Sequence, residues 1–234
     1  HALRLMEGSG RTPKVLYVDG SKKILEHGVL VMEYLPGHAM DYHTELMLAA
    51  PCLADIHSVP IPESEEILIH PQNPLKAILE ECEEMFKVYL ESPLGDGEKK
   101  TYIRELLDLG WKREAEIQLE SGYQCCINTE LNSTNLLING EGKSNYLIDW
   151  EKPLFGNPAQ DLGHFLAPTT TFWKTDVILT SEEIEKFIDA YIKAVGNRFK
   201  TDMIREHTHA FIPITCLRGI TWCAMAWVQY KQPD

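Results

Sequence analysis

The chain has 234 residues, 44% of them apolar and 24% charged, with a formal net charge of −13. That composition is globular, and the length suits one large domain or a small lobe joined to a larger one. So acidic a chain is a poor partner for nucleic acid or an anionic membrane, both of which need clustered Lys and Arg. It is compatible with a cationic ligand, although excess carboxylate also simply keeps a protein soluble. Six cysteines without a Cys-x-x-Cys pair read as reduced, mostly buried thiols of a cytoplasmic protein. His207 and His209 have the wrong spacing for one helix face and lack a third ligand, so no metal site is expected there.

Residues 1–6 space their apolar side chains like a helix rather than a signal peptide, and Gly8-Ser-Gly10 stops it. The chain is therefore expected to begin partway through an element. Residues 14–18 and 29–34 are short β-rich runs joined through Asp19-Gly-Ser21, a hairpin connection, and Leu35-Pro-Gly37 breaks the second run. Residues 41–58 are helical, with Leu46, Leu48, Leu53 and Ile56 toward one side. A polar loop containing Glu63-Ser-Glu-Glu66 follows, then helices over 75–90 and 101–119. The character changes at Ser121: strands are expected over 123–128, 135–138 and 144–150, with a turn at Asn139-Gly-Glu-Gly142. Helices close the chain over 181–195 and 215–229. The apolar stretches 210–216 and 221–230, split by Arg218, each fall short of the ~20 residues a membrane span needs.

The chemistry concentrates in two pieces, 126–138 and 146–151. Glu130 and Asn135 lie five residues apart on a loop between short strands, and Asp149 ends the next strand. Phosphoryl transfer needs such a set: a carboxylate to accept the substrate hydroxyl proton, then an amide and a second carboxylate to hold Mg²⁺ against phosphates. Hard oxygen ligands suit that ion. Without the chemistry, the same residues make a β-hairpin with capping Asn and Asp.

Ile127-Asn-Thr-Glu-Leu-Asn-Ser-Thr-Asn135 resembles the catalytic loop, usually His-Gly-Asp-Leu-x-x-x-Asn, of the aminoglycoside phosphotransferase and choline kinase superfamily. Leu147-Ile-Asp-Trp-Glu151 is similar to its metal-binding segment, and Gly156-Asn-Pro-Ala-Gln-Asp-Leu162 to the Gly-Asp-Pro-x-x-Asp-Leu signature after it. Upstream, Val29-Leu-Val-Met-Glu-Tyr-Leu-Pro-Gly37 looks like the hinge between lobes, and Leu53-Ala-Asp-Ile-His-Ser-Val59 like the helix end beyond it. The resemblance implies an α+β, protein-kinase-like two-lobe fold. Residues 1–35 would be the remainder of a small β lobe with the hinge. Residues 36–234 would be a larger, mainly helical lobe carrying the catalytic β-hairpin loop and the acceptor site.

By the same resemblance Glu130 takes the catalytic-base position, and Asn135 and Asp149 the Mg²⁺ positions. Mg²⁺–ATP is expected between Met32, Glu33 and Leu35 on one side and Asn135 with Asp149 on the other, the Glu33 and Leu35 backbone meeting the adenine. Glu151 could face metal or substrate, and Asp161 could order the catalytic loop or cap a helix. Asn128 stands where the family has His, and Glu130 where it has Asp, of nearly equal basicity (~4.3 against ~3.9) but one methylene longer. The family's Gly-rich turn, phosphate-pairing Lys and helix Glu would precede His1, so the chain is expected to be N-terminally incomplete.

The implied function is ATP- and Mg²⁺-dependent phosphoryl transfer to a hydroxyl of a small molecule, a cationic one among the options. The alternative is a non-catalytic nucleotide-binding relative, disabled at Asn128 and Glu130. Trp173, Trp222, Trp227 and Tyr230 could box a quaternary amine, although Trp222, Met225 and Val228 also fit a helix facing the core. Oligomeric state is not legible.

Overall fold

The computed structural model of the protein describes residues 1–63, 66–117, 119 and 122–231. Ser64 and Glu65 of the acidic loop, Gln118 and Glu120 near the end of the expected third helix, and Ser121 lie outside the described residues.

Helix α1 (Ala2–Met6) passes into a 3₁₀ turn, Glu7–Ser9, that ends on Gly10 at φ 65°. Strands β1 (Val15–Asp19) and β2 (Val29–Met32) pair antiparallel, Asp19 opposite Val29 and Val15 opposite Met32, with a bulge near Val15. Their connection is longer than Asp19–Ser21 and runs on to Gly28. Leu16, Tyr17, Val18, Leu30 and Val31 of this pair are all exposed. The chain then crosses Pro36 and Gly37 into β3 (His38–Ala39).

Side-chain capping defines the helices that follow. Helix α2 (Leu46–His57) begins later than its apolar spacing suggests, because the Asp41 carboxylate accepts from His43 N–H and Thr44 Oγ1 and holds a turn there. Asn73 accepts from Lys76 N–H to open α3 (Pro74–Glu91), and Asp96 from Lys99 N–H to open α4 (Gly97–Glu116).

Four short strands come next: β4 (Cys125–Ile127), β5 (Leu136–Ile138), β6 (Tyr146–Leu147) and β7 (Leu154–Gly156). Then follow α5 (Pro158–Leu166), α6 (Pro168–Lys174), α7 (Ser181–Val195) and α8 (Ile204–Lys231). A reciprocal box between Thr180 and Glu183 starts α7 at the expected residue. All six cysteines are free thiols, four of them buried.

Helix α8 corrects one expectation. The last helix, expected over 215–229, begins already at Ile204 and runs 28 residues through both apolar stretches, and by length and composition it could cross a membrane. Its buried Phe211, Ile214 and Leu217 join the protein core instead, mainly through α3 and α5, and Arg218 pairs with Glu81 of α3. Each such apolar side chain contributes roughly 1.5–3 kcal/mol by leaving water. Helix α2 packs on α7 through the same core, which includes Leu53, Ile56, Phe187 and Ile188.

Helices α5 and α8 meet closely at Gly163. A Cβ on Gly163 would overlap the Cβ of Phe211 and stand 3.2 Å from the Ile212 backbone nitrogen, neither of which can swing away. Gly163→Ala should therefore destabilise the protein by ~2 kcal/mol or more, although alanine is ~1 kcal/mol the better helix former. Gly97→Ala, at the open start of α4 with nothing within 4 Å, should be neutral or slightly stabilising. Urea unfolding of both variants checks this, and equal midpoints would show that the α5–α8 contact yields.

Candidate active site

Strand β4 pairs antiparallel with β7, Cys126 opposite Phe155, whereas β5 lies between β3 and β6. The strands flanking Glu130 and Asn135 thus belong to two different sheets, and the segment 128–135 spans them; the hairpin is made by β5 and β6. The Ile148 N–H donates to Asn135 O (2.9 Å), so the Glu130–Asn135 loop and the Asp149 loop start side by side.

The first loop is gripped from beneath by Asp161. Its carboxylate accepts from the backbone N–H of Asn128 (2.8 Å) and of Thr129 (2.7 Å), and lies 3.2 Å from His57 Nε2. His57 Nδ1 in turn lies 2.8 Å from the Tyr191 hydroxyl. A carboxylate can only accept, so the ring donates from Nε2 to Asp161. Asp161, His57 and Tyr191 are all fully buried. Asn157 caps α5, accepting from Ala159 N–H, while Asp161 sits within that helix and turns its carboxylate to the loop. Burial pushes the Tyr191 hydroxyl well above its ordinary pKa, so it remains protonated.

Two residues near the loops adopt left-handed backbone: Thr129 at φ 70° and Asp149 at φ 64°. For a β-branched threonine this is a costly conformation, and such outliers persist only where surrounding bonds over-determine them. Those bonds are present. Thr129 Oγ1 donates to Lys152 O (2.8 Å), and Asn128 Nδ2 donates to Asp149 O (2.6 Å). Asn128 Oδ1 also accepts from Glu130 N–H (3.1 Å), so one amide ties the two loops. Asn135, buried, donates from Nδ2 to Glu130 O (3.1 Å). Asp149 and Glu151 are exposed, and the Glu130 carboxylate is partly buried, 3.0 Å from Lys152 Nζ.

Glu130, Asn135 and Asp149 are therefore brought onto two adjoining, cross-linked loops. Met32, Glu33 and Leu35 lie at and just beyond the end of β2, with Glu33 N–H donating to Lys14 O. A cleft of about 950 Å³ opens beside the loops, between α1 with β1–β2 and the helices α3, α5 and α8. Its walls include Thr129, Glu151, Lys152, Gln160, His164 and Arg218; Glu130, Asn135, Asp149 and the Met32–Leu35 segment are not among them. Burial, aided by the Arg218 charge, holds the His164 imidazole down at about 4, so it is neutral at neutral pH.

The candidate aromatic box is not assembled as one site. Trp173 and Trp222 meet edge-to-face at 5.1 Å, Trp227 carries Lys231 Nζ 4.9 Å from its ring centre, and Tyr230 is exposed. His207 and His209 are likewise occupied elsewhere, by Asn157 and Glu185 respectively.

The sequence alone does not single out His57, Tyr191 or Lys152. His57 lies in the helix-end segment 53–59, but only the long-range contacts with Asp161 and Tyr191 reveal its part. Lys152 follows Glu151 with no local pattern to distinguish it.

Comparison with known proteins extends this picture. Residues 1–206 match the model of the phosphotransferase enzyme family (APH). A comparison with curated proteins found no match. Among solved structures, a choline/ethanolamine kinase family protein from Mesorhizobium loti is similar over 100% of this chain and 72% of its own, with a TM-score of 0.69 and 16% identity. A choline kinase from Streptococcus pneumoniae is similar over 99% and 72%, with a TM-score of 0.61 and 20% identity. A spectinomycin phosphotransferase in complex with ADP and spectinomycin is similar over 94% and 80%, with a TM-score of 0.59 and 15% identity. The fold is thus α+β and protein-kinase-like, a small β lobe beside a larger, mainly helical one. With most of its length matched, this chain belongs to the phosphotransferase enzyme family.

Proposed function

We propose that the chain is an ATP- and Mg²⁺-dependent kinase that transfers the γ-phosphoryl group to a hydroxyl of a small molecule. The carrying observation is that Asn128 ties the Glu130 loop to the Asp149 loop, so that the three residues phosphoryl transfer requires share one scaffold. In this reading residues 1–35 provide the nucleotide side through Met32, the Glu33 carbonyl and the Leu35 amide. Residues 36–234 provide the catalytic loops and the acceptor side. The cytoplasm, where ATP is plentiful and thiols stay reduced, is the expected place of action.

The donor set suits magnesium. No group of three or more His, Cys, Asp or Glu able to hold a metal occurs among the described residues. Asn135 uses its Nδ2 on Glu130 O, which leaves its amide oxygen for a ligand, and the Asp149 carboxylate is exposed. Two hard oxygens are too few for a resident metal cage, but they are what Mg²⁺ needs when substrate phosphates and water complete its shell. When bound, the ion neutralises charge on the phosphate oxygens.

Glu130 takes the proton of the acceptor hydroxyl. The hydroxyl oxygen forms its bond to the γ-phosphorus, and the bond between that phosphorus and the bridging oxygen breaks, leaving its electron pair on ADP. Asp161 and its buried partners keep the loop from shifting, which matters because misplacement by ~1 Å costs ~100-fold in rate. The acceptor enters from the cleft that Thr129, Lys152, Gln160 and His164 line.

An ATP-consumption screen of the full-length protein against choline, ethanolamine, spectinomycin, methylthioribose and simple sugars tests the function. Absence of turnover with all of them and with water would argue for a nucleotide-binding role alone. Asp149→Asn should strongly weaken Mg²⁺-dependent ATP binding, since a neutral amide is a poorer ligand for a hard dication. Calorimetry with and without Mg²⁺ decides it, and unchanged Mg²⁺ dependence would leave Asp149 a structural residue. Glu130→Gln should lower kcat by ~10²-fold or more while ATP affinity stays within about twofold. Steady-state kinetics that show wild-type turnover would remove Glu130 as the base.

A further inference from the structure

The Glu130 carboxylate has a single hydrogen-bond partner among the described residues, and it comes from the other loop: Lys152 Nζ, 3.0 Å from Oε1. With the lysine side chain 65% exposed and the glutamate 31% exposed, the pair adds little to folding, so stability does not account for it. Its setting is more constrained than that of an ordinary surface pair. Lys152 O accepts the Thr129 hydroxyl at 2.8 Å, and Thr129 is itself held by Asp161. Pro153 follows with a fixed φ, and the next residue, Leu154, is already in β7 opposite Ile127. The lysine therefore extends from a fixed backbone, on the wall of the cleft, toward the one side chain of the catalytic loop that is a methylene longer than the family's usual Asp.

We propose that Lys152 is a positioning residue for Glu130, holding one carboxylate oxygen so that the other is presented to the acceptor hydroxyl. This rests on the kinase reading above. A glutamate on a loop has one more rotatable bond than an aspartate, and a misdirected base costs rate without altering nucleotide binding. The ion pair removes that freedom. After the hydroxyl proton has passed to Glu130 the pair is weakened, and loss of the proton to solvent restores it for the next turnover.

The test uses Lys152→Met, Lys152→Arg, Glu130→Gln and the Lys152→Met/Glu130→Gln double variant of the full-length protein. ADP release from Mg²⁺–ATP is followed with water, choline, ethanolamine and spectinomycin as acceptors. Lys152→Met should lower kcat about tenfold with KM for ATP within about twofold, and Lys152→Arg should recover most of the loss. In the Glu130→Gln background the same change should cost less than about twofold more, because a positioning residue has nothing left to position. An equal tenfold loss in both backgrounds overturns the proposal, as does a raised KM for ATP at constant kcat, which would make Lys152 a nucleotide contact. Wild-type turnover by Glu130→Gln would remove the base assignment and this inference with it.

A readout independent of turnover is acetic-anhydride labelling followed by mass spectrometry. Glu130→Gln should raise labelling of the Lys152 amine at least twofold, against unchanged labelling of Lys23, an exposed lysine of the β1–β2 connection. Equal Lys152 labelling in wild type and variant overturns the pair itself, whether or not an acceptor has been found.

Discussion

The site depends on a carboxylate that has no access to water. Asp161 is completely buried, and a buried carboxylate left without partners is strongly destabilising, so it must be met by donors. It is met by three, from Asn128 N–H, Thr129 N–H and the His57 ring. The two backbone donors also set the loop. Left-handed backbone at Thr129 costs of order 1–3 kcal/mol, while each hydrogen bond to a charged group contributes roughly 1.5–3 kcal/mol. Two such bonds outweigh the strain, and the bent loop becomes the stable one. Because His57 is on α2 and Tyr191 on α7, the packing of those two helices is transmitted to the loop through one imidazole.

The second loop is reached through Asn128. A carboxamide has both a donor and an acceptor, so it can give a hydrogen bond to Asp149 O and take one from Glu130 N–H at once. It carries no charge and does not titrate. Where the family has a histidine, this chain thus has a link whose two bonds do not change with pH. Asn128 has no protonatable group, yet it joins the two loops, which weighs against reading it as a disabling change.

What could be read from the sequence follows the range of the forces involved. Helix α7 was legible to the residue, since the Thr180–Glu183 box and its apolar stripe are local. The start of α2 was not, because Asp41 competes for the backbone just where apolar spacing would extend the helix. The pairing of β4 with β7 was hidden: β7 is three residues long and contains Gly156, and only the distant partner makes it a strand. Glu130, Asn135 and Asp149 stand out as candidates through motif spacing. The Asp161–His57–Tyr191 chain does not, since its members are separated by 104 and 134 residues and meet only once α2, α5 and α7 are packed.

Net charge is the poorest guide to the acceptor, because a ligand feels the charges within about a Debye length, ~8–10 Å, more than the total. The chain as a whole is at −13, yet the cleft is lined by Arg4, Lys152 and Arg218 against Glu81 and Glu151. Arg218 is neutralised by Glu81, and Lys152 by Glu130. The excess carboxylate is therefore spread over other surfaces and does not make this cleft a cation trap. Of the four aromatic residues that could have supplied one instead, Trp173 and Trp222 pair with each other, Trp227 pairs with Lys231 and Tyr230 is exposed, and none of them lines the cleft. Within the wall the neutral His164, Gln160 and Thr215 offer hydrogen bonds rather than charge. A ligand there would meet these groups together with the Trp150 ring and the exposed Glu151 carboxylate, a mixed wall and not a charged one.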